Sequence, residues 1–536
     1  MQEIVIVVGA GTMGAGIACV AARAGYIVEI VEPDAAARER GRARIERDAS
    51  RGGDAASVLA RIRWSDAVPE RSEAAIAIEA VPERLELKRA VFAQLARALD
   101  PQALLATNTS SLAVAEIASG VPAPDRVVGL HFFNPPVAMK LVEIVEIEQT
   151  SDDALAAARA FVARLEKTAV VTADTPGFIV NRVARPFYLQ AMRALDRGVA
   201  SVEELDALAR GAGFRMGPFE LMDMIGLDVN LATSESVYER VGAARLEPQA
   251  MQRALVEQGR LGRKSGIGFY DYANGDPERL ELVPEGPSEE KIDECVTVIG
   301  FGAAADALVE ELEARYADVR RVENDELLDE ISPETTIAID VGDGVSDRAE
   351  ILAELDTLLA PEAIVACDAY ATDLAAATRK MKHPDRVVGY GVLGALASQR
   401  VVEIVDFEKS SDDALAVAQE LFEALGKGVV LVEDVPGLFL GRVVGAIVNE
   451  AVIAVQENVA TPDDIDLAMR LGVNYPIGPL AWGREIGGAR IAQILRRVAK
   501  DDGDAFAPHR ALWVLDADDG EDADEPIDVP MERPVL

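Results

Sequence analysis

Only three histidines occur among the 536 residues, and one of them, His131, lies in the stretch GLHFFNPPVAMKLVEIVE at residues 129–146. The same stretch carries Glu143. Histidine is the side chain whose ordinary pKa lies nearest neutral pH, which makes it the natural general base. A carboxylate on the neighbouring strand holds the imidazole tautomer and stabilises the imidazolium that forms. Ser110, in ATNTSSL, adds a hydroxyl, and Asn181, in DTPGFIVNR, adds an amide. Such a set suits removal of a hydroxyl proton while hydride leaves the same carbon. The bland alternative for a lone histidine is a satisfied core residue; its scarcity and its acid neighbour favour chemistry.

These residues need a scaffold, and the N-terminus supplies one. EIVIVV at residues 3–8 reads as a strand, followed by the turn Gly9, Ala10, Gly11, Thr12, Met13, Gly14, a helix, and a second strand ending at Glu32. Strand, glycine turn, helix, strand and acid together mark a dinucleotide-binding unit. Gly9 permits the turn, Gly11 admits a pyrophosphate, and Gly14 allows close packing of helix on strand. Glu32 suits a ribose 2′-hydroxyl, and with Asp34 close by a 2′-phosphate is disfavoured, so the expected cofactor is NAD. Residues 35–66 read as an Arg-rich helical excursion, either a solvated face or a grip on a phosphorylated substrate handle. Strands resume at 74–81, 104–110, 126–133 and 140–147, giving a mostly parallel sheet with Ser110, His131 and Glu143 at or just past strand ends. From residue 177 to 270 the pattern is helical.

The chain then repeats itself. DRVVG at 125–129 recurs at 385–389, DTPGFIVNR at 174–182 returns as DVPGLFLGR at 434–442, and GPFELMDMIG at 217–226 returns as GPLAWGREIG at 478–487. The expected fold is an α/β Rossmann-type dinucleotide-binding domain plus an all-α domain, duplicated in tandem with the second copy degenerate. The expected boundaries are 1–174 and 175–272 for the first copy, a linker at 273–293, 294–433 and 434–514 for the second, and a disordered acidic tail at 515–536. In copy two, Tyr370 replaces Ser110, Gly391 replaces His131 and Gly441 replaces Asn181, while Glu403 keeps the place of Glu143. Asp306 sits where a pyrophosphate would need free N–H groups. Copy two lacks 31 residues, the length of the Arg-rich arm, between its glycine turn and Asp368. It is expected to be catalytically dead.

GAGTMGAGIA, ATNTSSL, GLHFFNPPVAMKLVEIV, DTPGFIVNR, GPFELMD and GRKSGIGFY closely resemble the 3-hydroxyacyl-CoA dehydrogenases over residues 1–272. IDLAMRLGVNYPIGPLAWG at 465–483 resembles the degenerate half of the long bacterial members linked to phenylacetate breakdown, which oxidise 3-hydroxyadipyl-CoA, with relatives acting on 3-hydroxybutyryl-CoA. The resemblance implies an L-3-hydroxyacyl-CoA oxidised to a 3-oxoacyl-CoA, with His131 as base, Glu143 as its partner, and Ser110 and Asn181 positioning the reacting oxygens. It implies NAD contacts from the loop Gly9–Gly14, Glu32, Glu83, Lys88, Ser110, Asn134 and Lys264. Where the family often uses Ser and Lys on the CoA side this chain has Asp48 and Ala55, so Arg44, Arg47 and Arg51 are the candidates for the CoA phosphates. The family's dimerisation through helical domains implies that residues 434–510 dock on 175–270 as a built-in second subunit, with or without further homo-oligomerisation. The rival is a second copy that binds a ligand allosterically.

Asn181 and Arg185 stand four apart on an expected helix and share a face. Arg185 then reaches either the acyl pocket, where it suits a terminal carboxylate, or an interdomain salt bridge. Other function classes remain in view: a related hydroxy-acid or sugar-acid dehydrogenase, and an NAD-binding scaffold without turnover. The net charge of −39 disfavours nucleic acid and anionic lipid, and no run approaches 18 uninterrupted apolar residues, so no membrane span is expected. Cys19, Cys295 and Cys367 are scattered and suit neither a disulfide framework nor a metal site. The start goes directly into a strand, which points to a cytoplasmic protein.

Overall fold

The computed structural model describes residues 3–53, 55–282, 291–322, 330–342, 347–394 and 399–516. The first sheet contains β1 (Ile4–Val8), β2 (Ile27–Val31), β3 (Ile62–Ser65), β4 (Ile76–Glu79), β5 (Leu104–Thr107), β6 (Val127–Phe132), β7 (Leu141–Glu146) and β8 (Thr168–Ala173). Their order is β3-β2-β1-β4-β5-β6-β7-β8, parallel except that β7 runs antiparallel to β6. β1, IVIVV, is buried at four of its five positions, as β-branched strands covered on both faces must be. Gly9 has φ +106°, and a Cβ there would stand 2.6 Å from the Ala80 carbonyl oxygen. The helix Thr12–Arg23 packs on the sheet through Gly14, Ala15, Ala18 and Ala22; a Cβ on Gly14 would lie 2.0 Å from the Gly9 oxygen. The sequence excursion 35–66 is not helical throughout. Helices Ala35–Gly52 and Ala55–Leu59 are followed by β3, a four-residue edge strand too short to announce itself by alternation.

The second sheet contains β9 (Ile292–Ile299), β10 (Tyr316–Val322), β11 (Thr335–Asp340), β12 (Ile364–Asp368), β13 (Val387–Gly391), β14 (Val401–Asp406) and β15 (Gly428–Glu433). Its order, β10-β9-β11-β12-β13-β14-β15, repeats the first without a counterpart of β3 or of the Arg-rich helices among the described residues. The linker, expected to extend to 293, gives its last two residues to β9. Residues 283–290 lie outside the described ones, but the stretch before them is anchored: Arg279 Nε donates to Glu220 at 3.0 Å and Leu282 packs under Gly428. Leu515 and Asp516, expected in the disordered tail, are packed against the second helical domain. Leu515 is buried, and Asp516 accepts from the N–H groups of Gly488 and Ala489 at 2.6 and 2.8 Å, capping the helix Gly488–Asp502; residues 517–536 lie outside the described ones.

Helix Leu440–Gln456 of the second half packs along Arg185–Asp196 of the first. One apolar cluster runs through both, from Phe187 and Phe219 to Phe439, Ile447 and Ile491. The contacts between halves are reciprocal at an offset of 260: Ala173 N–H donates to the Val459 carbonyl at 2.8 Å, and Glu433 N–H to the Val199 carbonyl at 3.0 Å. Likewise Arg182 Nε donates to Glu450 at 2.8 Å, and Arg442 Nη1 to Gln190 at 3.5 Å. All three cysteines are buried and outside any disulfide. Among the described residues no helix is long and apolar enough to cross a membrane.

Candidate active site

The antiparallel turn from β6 to β7 decides the geometry. It places His131 and Glu143 as directly opposed partners across the two strands. Nδ1 of His131 and Oε2 of Glu143 are 2.6 Å apart, and Glu143 Oε1 accepts from the Ile179 and Val180 N–H groups at 3.1 and 2.9 Å. Glu143 is fully buried, and Oε1 already accepts from two backbone N–H groups, which favours the carboxylate and makes Oε2 the acceptor toward His131. The imidazole therefore carries its proton on Nδ1, and Nε2 is the basic nitrogen of a ring that lines the adjoining cleft. The Phe133 and Phe178 rings, 4.7 and 5.6 Å from the imidazole centre, fix its plane.

The cleft has a volume of about 560 Å³ and lies between the first sheet and the helices that follow it. Ser110, His131, Asn134 and Asn181 all line it, so residues spread over some 70 positions of sequence converge, as their strand-end positions suggested. Asn108 also lines it and accepts from the Phe132 N–H at 2.9 Å, fixing the end of β6. It stood inside ATNTSSL without a distinguishing signal.

Met13 and Glu83 line the cofactor side. Helix Thr12–Arg23 has no side-chain cap at Gly11, and among the described residues nothing lies within 4 Å of a Cβ built there. Free first-turn N–H groups beside open space fit a pyrophosphate. Glu32 Oε2 accepts from Ala10 N–H and Oε1 from Asp34 N–H, each at 3.1 Å, which holds the carboxylate beside the turn with lone pairs left for ribose hydroxyls. Glu83 Oε1 accepts from the N–H groups of Ser110 and Ser111 at 2.9 and 3.1 Å and from the Thr109 hydroxyl. Burial alone would raise its pKa; Lys88 and these hydrogen bonds hold it below the ordinary value.

Lys88 is not at the surface of the cleft. It is 1% exposed, with its ammonium 2.8 Å from Glu79 and 3.1 Å from Glu83, so it acts on the loop through Glu83. Lys264 pairs with Asp228 beside Gly226 and is not part of the cleft lining. Arg44, Arg47 and Arg51 follow one stripe of helix Ala35–Gly52, the last two exposed, away from the cleft lining. Arg185 does line the cleft, and no salt bridge holds it among the described residues; its Nε donates to the Asn181 carbonyl at 2.7 Å. Gly472, Val473 and Asn474 of the second half form part of the wall, which nothing in the sequence of the first half announced.

In the second half one ring replaces a site. Gly391 faces Glu403 in the register that His131 and Glu143 share. A Cβ on Gly391 would stand 2.7 Å from Tyr370 Cε1, and one on Gly441 2.8 Å from Tyr370 Cδ1. The Tyr370 ring thus fills the room of the histidine and the asparagine together. Its hydroxyl donates to Glu403 at 2.7 Å, taking the bond the imidazole makes in the first half. Asp368, at the Asn108 position, is paired with Arg490 at 3.0 Å, and Asp306 is paired with Arg321.

Comparison with known proteins agrees. The family model described as 3-hydroxyacyl-CoA dehydrogenase, NAD binding domain, matches residues 4–175 and again 296–435; that of the C-terminal domain matches 177–272 and 437–519. A 3-hydroxyadipyl-CoA dehydrogenase of Escherichia coli K12 is 37% identical over 506 residues, covering 92% of this chain and 93% of the relative. A probable 3-hydroxybutyryl-CoA dehydrogenase of Bacillus subtilis is 40% identical over 277 residues, 50% of this chain and 96% of the relative. The crystal structure of a 3-hydroxybutyryl-CoA dehydrogenase from Escherichia coli K12 superposes with a TM-score of 0.73 at 34% identity, covering 96% of this chain and 99% of that one.

Proposed function

This chain belongs to the 3-hydroxyacyl-CoA dehydrogenase family, and on that premise we propose that its first half oxidises the 3-hydroxyl of an L-3-hydroxyacyl-CoA to the ketone with NAD. The observation that carries this reading is the His131–Glu143 pair, 2.6 Å apart beside the cleft. Bound NAD supplies the hydride acceptor. His131 Nε2 takes the proton of the 3-hydroxyl, and the buried Glu143 carboxylate stabilises the imidazolium. The Ser110 hydroxyl and the Asn181 amide, both on the cleft wall, hold the reacting oxygens, and Glu83 fixes the Ser110 loop through its backbone. The Gly9–Gly14 turn and Glu32 hold the dinucleotide and Asn134 borders it, while Arg44, Arg47 and Arg51, outside the cleft lining, are the cations offered to CoA phosphates that extend beyond it. NADH formation from 3-hydroxybutyryl-CoA, with the free hydroxy acid and a sugar acid as controls, tests it. Oxidation of the free acids alone would favour a hydroxy-acid enzyme, and NAD binding without turnover a scaffold.

The second half serves as a built-in second subunit. The reciprocal contacts at offset 260 support a pseudo-isologous interface, and the Tyr370 plug supports a cleft without turnover. Calorimetry is expected to give one NAD and one acyl-CoA per chain; two of either would favour a regulatory site in the second half.

A further inference from the structure

One end of the first cleft is built beyond the needs of alcohol oxidation. Arg185, at the start of helix Arg185–Asp196, is only 4% exposed. Its Nη1 donates to the Ser234 hydroxyl at 3.2 Å, and its guanidinium carbon lies 4.8 Å from the centre of the Tyr188 ring. No carboxylate pairs with it among the described residues. Arg182 and Arg442, at least as buried, are paired with Glu450 and Asp502. A buried cation without a counter-ion is strongly unfavourable unless an anion arrives to meet it. The titratable groups that bear on Arg185 are Tyr188 and Tyr475, and burial raises the pKa of both, so each is a neutral hydroxyl. The Tyr475 hydroxyl is buried with no hydrogen-bond partner among the described residues. Donors therefore gather here around neutral oxygens, with no anionic acceptor among the described residues.

The second half builds part of this end. Tyr475 follows the wall residues Gly472–Asn474 and stacks edge-on against Phe214, its counterpart in the first half, at 5.0 Å. At the same positions the closed cleft of the second half has no such donors: Gly445 stands for Arg185, Val448 for Tyr188, and Phe214 lacks the hydroxyl of Tyr475. The donor set is confined to the cleft that holds His131.

Resting on the dehydrogenase reading above, we propose that this end of the cleft is a carboxylate subsite: Arg185, helped by the Tyr188 and Tyr475 hydroxyls, receives the free carboxylate of a 3-hydroxy-dicarboxylyl-CoA, and the second half completes it through Gly472–Tyr475. Arg185 stands four residues beyond Asn181, across the break at Ala184 that separates helix Val180–Val183 from Arg185–Asp196, with its Nε 2.7 Å from the Asn181 carbonyl. That spacing suits a carboxylate a few carbons past the reacting centre, as in a six-carbon diacid. A planar guanidinium can bind both oxygens of that group.

The test compares 3-hydroxyadipyl-CoA with 3-hydroxyhexanoyl-CoA, chains of equal length ending in carboxylate or methyl. The wild type is expected to favour the adipyl substrate in kcat/KM. Arg185→Met is expected to lose about 10- to 100-fold on it and little on the hexanoyl substrate. Tyr475→Phe, a milder change, is expected to lose a few-fold on adipyl alone, and Arg185→Lys to keep part of the preference. Equal losses on both substrates, or a wild type that prefers hexanoyl, would overturn the subsite. Calorimetry with adipyl-CoA and hexanoyl-CoA, which lack the reacting hydroxyl, separates the two readings. Tighter adipyl-CoA binding that depends on Arg185 supports the subsite even if turnover fails, whereas turnover with equal affinities overturns it and leaves the dehydrogenase standing.

Discussion

Glu143→Gln changes one atom of the buried pair and almost nothing of its volume. The native carboxylate accepts from His131 Nδ1–H and from two backbone N–H groups. Glutamine has one acceptor oxygen. If that oxygen serves Ile179 and Val180, its NH2 group meets the imidazole, and the ring must move its proton to Nε2. The base then has its lone pair turned away from the cleft. The anion that stabilised the imidazolium is lost as well: at roughly 4 Å between charges and an effective dielectric of about 20 that pairing is worth about 4 kcal/mol, or about 10³ in kcat. NADH absorbance under saturating NAD and 3-hydroxyacyl-CoA measures it. The expected outcome is a kcat lowered by about 10³ with KM within a few-fold and NAD affinity unchanged. A loss below tenfold, or one carried by KM alone, would refute the role given to the pair.

Three other perturbations separate structure from chemistry. Tyr370→Ser empties the space between Gly391 and Gly441, so it is expected to lower unfolding free energy by about 3–5 kcal/mol in urea titrations and leave kcat/KM unchanged; lost activity at intact fold would give the second cleft a catalytic part. Arg182→Met breaks the buried pair to Glu450 and the half-exposed pair to Glu457 that tie the halves and is expected to cost about 3 kcal/mol, partly recovered in the double variant with Glu450→Met; additive losses would deny the coupling. Glu83 has a folded pKa below its unfolded 4.5, so the stability it contributes is present above pH 4.5 and is lost as pH falls through the lower folded value. The deficit of Glu83→Gln in unfolding free energy should therefore be full at neutral pH and shrink below pH 4.5; a deficit constant with pH would show that the carboxylate charge is not what holds the Ser110 loop.

Much of the site was legible because it rests on short-range rules. A glycine turn after a buried strand fixes where a dinucleotide lies, and ligand groups of an open sheet gather at strand ends, which is why Ser110, His131 and Asn181 meet. The missing site residues of the second copy were legible from Gly391 and Gly441, but the sequence showed only losses; that Tyr370 refills both vacated places and inherits the bond to the glutamate emerges from packing alone. Distance in sequence hid the rest. The wall Gly472–Asn474 depends on how the two halves dock, which no local pattern encodes. Lys88 is expected at the cofactor and is instead buried between Glu79 and Glu83. β3 escaped because four edge residues carry too little alternation, and Leu515 with Asp516 because an acidic stretch hid the last buried contact and helix cap.

The central claim is that one imidazole in the first half performs the proton transfer. Its most direct test is turnover by the full-length His131→Asn variant with NAD and 3-hydroxybutyryl-CoA, beside a calorimetric check that NAD still binds. The expected result is kcat reduced by about 10²–10⁴ with NAD affinity retained. Turnover at the wild-type rate would contradict it.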